Sequence, residues 1–336
     1  MRTCIFTVWT TVAAFCCCAG KSPKDSAGQI YRNPVVDVNL PDPTVIRADD
    51  GYFYLYATEG IARTPVFRSK NLVEWQQAGA AFTAETRPSW EPDGKIWAPD
   101  INYINGKYVL YYSMSRWGGV ETCGIGVAVS ERPDGGFTDK GMLFRSNGIG
   151  VRNSIDQNYV EEGNRKYLVW GSFNGIYIIE LGDDGLSIRE GAEKMQIAGT
   201  AFEGSCIYKR GKYYYLFASV GTCCEGANST YTTVVGRSEN LTGPYVNKSG
   251  KLMIDNTYEI LIHGDSEFAG TGHNAEIVTD DNGNDWILYH AYRRSNPKNG
   301  RVLMLDRIYW TDDNWLEVVN SVPSKEATVP VFSSAR

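Results

Sequence analysis

Five separated stretches of the chain put acids at the head of runs that read as β-strands. Asp42 lies in Pro41-Asp42-Pro43, Asp100 in Trp97-Ala98-Pro99-Asp100, Asp156 in Ile155-Asp156-Gln157, and Glu203 in Phe202-Glu203-Gly204-Ser205. The fifth stretch is His273-Asn274-Ala275-Glu276. Carboxyl groups that meet at one site can divide into one that gives a proton and one that takes it, which is general acid–base chemistry. Glu203, set between Phe202 and the small Gly204-Ser205, is poorly placed for a solvated surface charge and favours such a role. Prolines on both sides of Asp42 restrict its backbone away from helix, which suits a pre-positioned carboxylate or a turn cap. Asp156 reads equally as functional or structural. Asp100 reads as structural or substrate-contacting.

These acids need a scaffold that makes them converge. Each is followed by a turn with glycine and then a strand rich in aromatic and large apolar residues. Asp49-Asp50-Gly51 leads into Tyr52 to Ala57, Asn105-Gly106 into Lys107 to Ser113, and Glu162-Gly163 into Lys166 to Ser172. Gly211 leads into Lys212 to Ser219, and Asp281-Asn282-Gly283 into Trp286 to His290. Outer strands recur as well, at Val66 to Trp75, Gly126 to Phe137 and Val235 to Tyr245. Helical periodicity is hard to find. A unit repeated roughly every 50–70 residues, somewhat longer than the usual blade, predicts an all-β fold of the β-propeller type. The first strand of each blade lines the axis there, so the five acidic stretches are expected to meet in one funnel. The segment from Val318 to Arg336 is expected to return and pair with the N-terminal strand.

Composition narrows the field. The 336 residues suit one large all-β domain. Tyr (21) and Trp (9) are abundant, as expected of many strands and of sugar-stacking surfaces. A net charge of −6 argues against a nucleic-acid partner, which favours a basic patch. A monomer is expected. The start, Met1-Arg2-Thr3-Cys4, is followed by an apolar run from Ile5 to Phe15 and then Cys16-Cys17-Cys18-Ala19-Gly20. This reads as a secretory signal over residues 1–20, and the cysteines at the expected cleavage point look like a lipoprotein signal. Residues 21–30 read as a linker and 31–336 as the catalytic domain. The expected location is periplasmic or cell-surface, in a bacterium. Of eight cysteines, Cys123, Cys206, Cys223 and Cys224 remain in the domain, too few for a disulfide scaffold. Cys223 and Cys224 are expected to be buried thiols, or one of them to pair with Cys206.

Pro41-Asp42-Pro43, Trp97-Ala98-Pro99-Asp100, Ile155-Asp156, Phe202-Glu203 and Gly272-His273-Asn274 together resemble glycoside hydrolase family 43 over roughly residues 33–318. The run Gly221-Thr222-Cys223-Cys224-Glu225-Gly226, with Gly236-Arg237-Ser238 and Leu241-Thr242-Gly243-Pro244-Tyr245, is similar to its endo-1,5-α-L-arabinanase branch. Pro41 stands where His is usual before the first catalytic Asp, and Asn174 where Trp often follows Gly171-Ser172-Phe173. The resemblance implies a five-bladed β-propeller and an inverting hydrolase of α-1,5-linked arabinan. It implies Asp42 as general base, Glu203 as general acid, and Asp156 as the acid that raises the pKa of Glu203 and orients it. It also implies a calcium ion near His273, and no organic cofactor. Inversion needs the two carboxyls roughly 6.5–9.5 Å apart, with water between them. Among the aromatics Trp97, Phe173, Trp90 and Trp117, only Trp97 and Phe173 are assigned to substrate, with Asp100 as a further contact. The alternatives are exo-acting α-L-arabinofuranosidase or β-xylosidase action in the same family, and a glycan-binding propeller without catalysis.

Overall fold

The computed structural model describes residues 28–91 and 93–333, and their regular structure is almost all β-strand. The signal, lipoprotein and linker expectations fall on residues outside those described, apart from the last few of the linker. The longest helical element among the described residues is the four-residue Ser146–Ile149. The reason lies in the sequence: short continuous runs of aromatic, β-branched and large apolar residues, bounded by Gly, Asn or Asp, suit strands buried on both faces between neighbouring sheets.

All five predicted hairpins form. Thr44–Arg47 pairs with Phe53–Tyr56, Lys95–Ile104 with Lys107–Ser115, and Asn158–Glu162 with Arg165–Trp170. Glu203–Arg210 pairs with Tyr213–Val220, and Val278–Thr279 with Asp285–Arg293. The turn glycines Gly51, Gly106, Gly163, Gly211 and Gly283 all have positive φ, the conformation that side chains resist. The first three hairpins extend into separate four-stranded antiparallel sheets. The last two lie in one nine-stranded sheet, joined where Thr232–Ser238 meets Phe268–Gly272 in parallel. Ile30–Arg32 pairs with Glu326–Thr328, so the C-terminal segment does return to the N-terminal strand.

The core consists of five apolar clusters, each lying between neighbouring hairpin units. Tyr54 and Tyr56 pack with Leu110 and Tyr112, and Val109 and Tyr111 with Leu168 and Trp170. Val169 and Ile178 pack with Leu216 and Ala218, and Tyr215 and Phe217 with Ile287 and Tyr289. The fifth cluster sets Leu288 and Leu305 of the last unit against Val45 and Leu55 of the first.

That last contact has a polar latch. Buried Asn33 donates to the carbonyls of Leu305 and Ser324, both at 2.9 Å, and accepts the Leu305 N–H at 2.9 Å. Removing its amide leaves buried main-chain groups unpaired. Asn33→Ala should lower unfolding stability by about 1–3 kcal/mol, read as a reduced midpoint at unchanged slope in urea titration.

Candidate active site

The head of each inner strand carries a residue in the left-handed region. These are Asp42 (φ 56°), Ala98 (φ 40°), Asp156 (φ 60°), Gly204 (φ 57°) and His273 (φ 48°). Non-glycine residues adopt this conformation at a cost, and they concentrate where geometry is functional. The ladder starts or resumes two residues later: Thr44 faces Tyr56, Asp100 faces Tyr111, Asn158 faces Val169, and Cys206 faces Phe217. In the second and fourth hairpins the kink is a break in register, between Trp97 and Asp100 and between Glu203 and Cys206.

This register decides which acids meet. Asp42, Asp156, Glu203 and His273 all line one cavity of about 720 Å³, with Trp97 and Phe173 in its wall. Asp100 does not line it. By backbone position Asp100 matches Thr44 and Asn158, one layer deeper than Asp42, and the residue level with Asp42 is Ala98. The expectation that Asp100 contacts substrate therefore meets a different arrangement: its buried carboxylate accepts the Tyr159 N–H at 2.8 Å and the Asn102 side-chain amide at 2.8 Å.

The three cavity acids have unlike surroundings. Asp42 receives Arg301 Nη1 at 2.8 Å on one oxygen and Thr58 Oγ1 at 2.6 Å on the other. Its backbone N–H donates to His290 Nδ1 at 3.1 Å, which leaves the His290 proton on Nε2. Burial acts to raise the Asp42 pKa, but the charge of Arg301 and the Thr58 hydrogen bond outweigh it and hold the carboxyl well below its ordinary range. His273 Nδ1 lies 3.4 Å from Asp42 Oδ1, and burial lowers the pKa of both His273 and His290. Both imidazoles are therefore neutral near pH 7, and neither contact is an ion pair.

Glu203 accepts Ser172 Oγ at 2.6 Å and is hydrogen-bonded to Tyr231. Burial first, and then the negative charge of Asp42, push its pKa up against those hydrogen bonds. Asp156 Oδ2 accepts the Gly204 N–H at 3.1 Å, which fixes the peptide just after Glu203. Burial and the neighbouring Glu203 raise the Asp156 pKa as well. One cavity thus holds an anionic carboxylate beside two carboxyls that resist ionisation, the division of labour that acid–base hydrolysis requires.

Other expectations fare differently. Trp90 does not line the cavity: its indole donates to Tyr112 Oη at 2.9 Å and its ring lies under the Arg145 guanidinium. Trp117, not assigned to substrate from sequence, stands 79% exposed in the cavity wall, edge-on to Trp97 with centroids 5.9 Å apart. Cys223 and Cys224 form a disulfide with each other and line the cavity, while Cys206 is a free, buried thiol. Both expectations for these cysteines are corrected: adjacent residues in a turn can bridge, and Cys206 faces the carbonyl of Ala275 instead. Among the described residues, no group of three or more His, Cys, Asp and Glu could hold a metal. The donor set does not fit a calcium site built from protein oxygens, and calcium enters no step below.

Sequence reading missed Arg301, Thr58, Tyr231 and Ser172. Ser172 was visible inside Gly171-Ser172-Phe173. Arg301 carries no local signal, because its partner lies 259 residues away.

The site and fold together define a hydrolase of the acid–base type. The family model for glycosyl hydrolases family 43 matches residues 31–316, and the chain belongs to that family. It is a glycoside hydrolase. An extracellular exo-α-(1→5)-L-arabinofuranosidase of Cellvibrio japonicus is 33% identical over 84% of this chain and 86% of its own. An extracellular endo-α-(1→5)-L-arabinanase of Bacillus subtilis is 35% identical over 82% of this chain and 85% of its own. Among solved structures, a Cellvibrio cellulosa α-L-arabinanase in complex with arabinohexaose superposes with a TM-score of 0.76 at 32% identity, covering 84% of this chain and 95% of that one.

Gly204 tests the geometry. A Cβ there would lie 3.1 Å from the His273 ring and 3.3 Å from Tyr231 Oη, at a φ that disfavours side chains. Gly204→Ala should reduce kcat by about tenfold or more while KM changes little, measured on a protein whose circular dichroism matches wild type.

Proposed function

We propose that the protein is an inverting hydrolase of α-1,5-linked arabinan that cuts within the chain, built on a five-bladed β-propeller. The observation that carries the reading is the split between Asp42, held anionic by Arg301, and the protonation-prone Asp156–Glu203 couple in one aromatic-walled cavity. The five inter-unit clusters, the last returning to the first unit, support five blades. The arabinan-directed names of the relatives, and the arabinohexaose in a related structure, support the substrate.

In this reading Asp42 takes a proton from water as that water attacks the anomeric carbon. Glu203 gives its proton to the departing glycosidic oxygen, and the configuration inverts. Asp156 does not touch the bond. It holds the Gly204 peptide, and so the orientation of Glu203, and the two buried acids are coupled, so that ionising one opposes ionising the other. Trp97 and Phe173 offer ring faces to the sugars, and Trp117 extends that wall to the rim. Calcium beside His273 belongs to this reading only as an ion whose shell is mainly water. Secretion fits the extracellular relatives. A monomer carried to the cell surface or periplasm by the N-terminal signal, with a lipid on one of Cys16 to Cys18, completes the proposal.

Glu203→Gln and Asp42→Asn should each lower kcat on linear arabinan by a factor of about 10³ or more, with the fold retained by circular dichroism. Mixed oligosaccharides among the early products support internal cutting. Arabinose or one short product alone transfers the reading to exo action, which the Cellvibrio japonicus relative's name makes the second choice.

The pH profile follows from the same charges. Arg301 lowers the Asp42 pKa, so removing it must raise that pKa. Arg301→Met should move the acid limb of kcat/KM upward by about one unit or more, measured on a soluble arabino-oligosaccharide. The alkaline limb, set by the Asp156–Glu203 couple, should move much less.

A further inference from the structure

A second carboxyl pair lies one layer below the cavity. Asp100, buried on Lys95–Ile104, and Glu276, partly exposed and three residues beyond His273, meet at Thr44, whose hydroxyl lies 3.0 Å from each Glu276 carboxylate oxygen and accepts the N–H of Ile101, next to Asp100; the two carboxyls come within hydrogen-bonding reach of each other there. No Lys, Arg or His forms an ion pair with either among the described residues. Two carboxylates cannot hydrogen-bond to each other, since neither has a proton to give. Contact without a compensating cation therefore requires one proton in the pair.

The surrounding hydrogen bonds run to every strand that carries a cavity acid. Glu276 Oε2 accepts the Val45 N–H at 2.7 Å and is 3.0 Å from Thr44 Oγ1, just after Asp42. Thr44 Oγ1 in turn accepts the Ile101 N–H at 3.1 Å, next to Asp100. Asp100 Oδ2 accepts the Tyr159 N–H, three residues beyond Asp156. Asn158 places its amide 3.4 Å from Asp100 Oδ1, and its oxygen accepts the Ile207 N–H at 2.9 Å, four residues beyond Glu203. We propose that Asp100 and Glu276 share a single proton, and that this protonated pair is a positioning element for the strands bearing Asp42, Asp156 and Glu203. Neither residue touches substrate. The assigned roles of the three acids come from the functional reading above, so the catalytic part of the proposal rests on it; the proton itself does not.

The other titratable groups facing the pair are the Tyr111 and Tyr159 phenols and the Cys206 thiol. Burial raises all three, so they stay neutral through the range tested. Burial and the close partner also raise the pKa of the pair. A raised folded-state pKa gives stability that is complete at low pH and is lost as pH rises through the folded value. Glutamine at 276 can donate to Asp100 without needing a proton from solution.

The experiment measures Tm from pH 5 to 9, and kcat and KM on linear arabinan, for wild type, Glu276→Gln, Glu276→Ala and Asp100→Asn. Wild-type Tm should fall with pH more steeply than that of Glu276→Gln or Asp100→Asn. Comparing each variant with wild type removes the parallel contribution of Asp156 and Glu203. Glu276→Ala should lower kcat about tenfold with KM within threefold, and Glu276→Gln should restore it. A Glu276→Gln profile parallel to wild type overturns the shared proton, as does a Gln variant that unfolds as readily as the Ala variant. Wild-type kcat in a folded Glu276→Ala overturns the positioning role. A rise in wild-type Tm on adding Ca²⁺ or Na⁺ at pH 9, absent in Glu276→Gln, means that a cation stands where the proton was assigned and also overturns it. If Glu276→Ala does not fold, the Tm comparison of the two amide variants still decides the proton. If no protein cuts arabinan, the functional reading fails while the Tm result stands.

Discussion

The ion pair between Arg301 and Asp42 is the interaction on which the rest of the site depends. A cavity that draws three carboxyls out of water raises the pKa of all of them unless something opposes it. Arg301 opposes it at one acid, at 2.8 Å, with Thr58 Oγ1 on the other oxygen. Asp42 therefore stays charged, and its charge in turn helps to keep Glu203 and Asp156 protonated. Without that cation the three groups would titrate as an undifferentiated cluster. With it, one anionic carboxylate and two carboxyls that resist ionisation share one cavity.

Holding such a cluster needs a scaffold that brings distant segments to one point. Five hairpins accomplish this because each begins its inner strand with a backbone kink. Four of the five kinked residues are not glycine, so strain is stored there against the packing of the clusters between units. At Asp42, Asp156 and His273 the kinked residue lines the cavity, while the residue two positions on returns to main-chain pairing, as Thr44, Asn158 and Ala275 do. The layer below is occupied by Thr44, Asp100 and Asn158, whose hydrogen bonds run between strands instead of toward the cavity.

The walls have their own logic. Trp97 and Trp117 stand edge to face, Phe173 is held by its N–H to the Phe202 carbonyl at 2.8 Å, and the Cys223–Cys224 bridge lies in the loop that lines another side. Apolar ring faces and a few fixed polar groups are the usual composition of a pocket for a ligand with one apolar face. The extracellular nature of named relatives agrees with a disulfide at this position.

Much of this was legible in the chain itself. The repeat of acid, turn glycine and aromatic strand determined the all-β class and the five hairpins, because each of those signals is local and survives without knowledge of the neighbours. The same local signals put Asp42, Asp100, Asp156, Glu203 and the His273–Glu276 segment at the heads of strands, and the family resemblance singled out Asp42, Asp156, Glu203 and His273 among them. Only the tertiary structure decided the depth of Asp100, since the register breaks between Trp97 and Asp100 and leaves Ala98, not Asp100, level with Asp42. Only it paired Asp42 with Arg301 and Thr58, joined Cys223 to Cys224, and separated Trp117 from Trp90. Those outcomes depend on which side chains end up adjacent across hundreds of residues, and spacing along the chain carries no record of that.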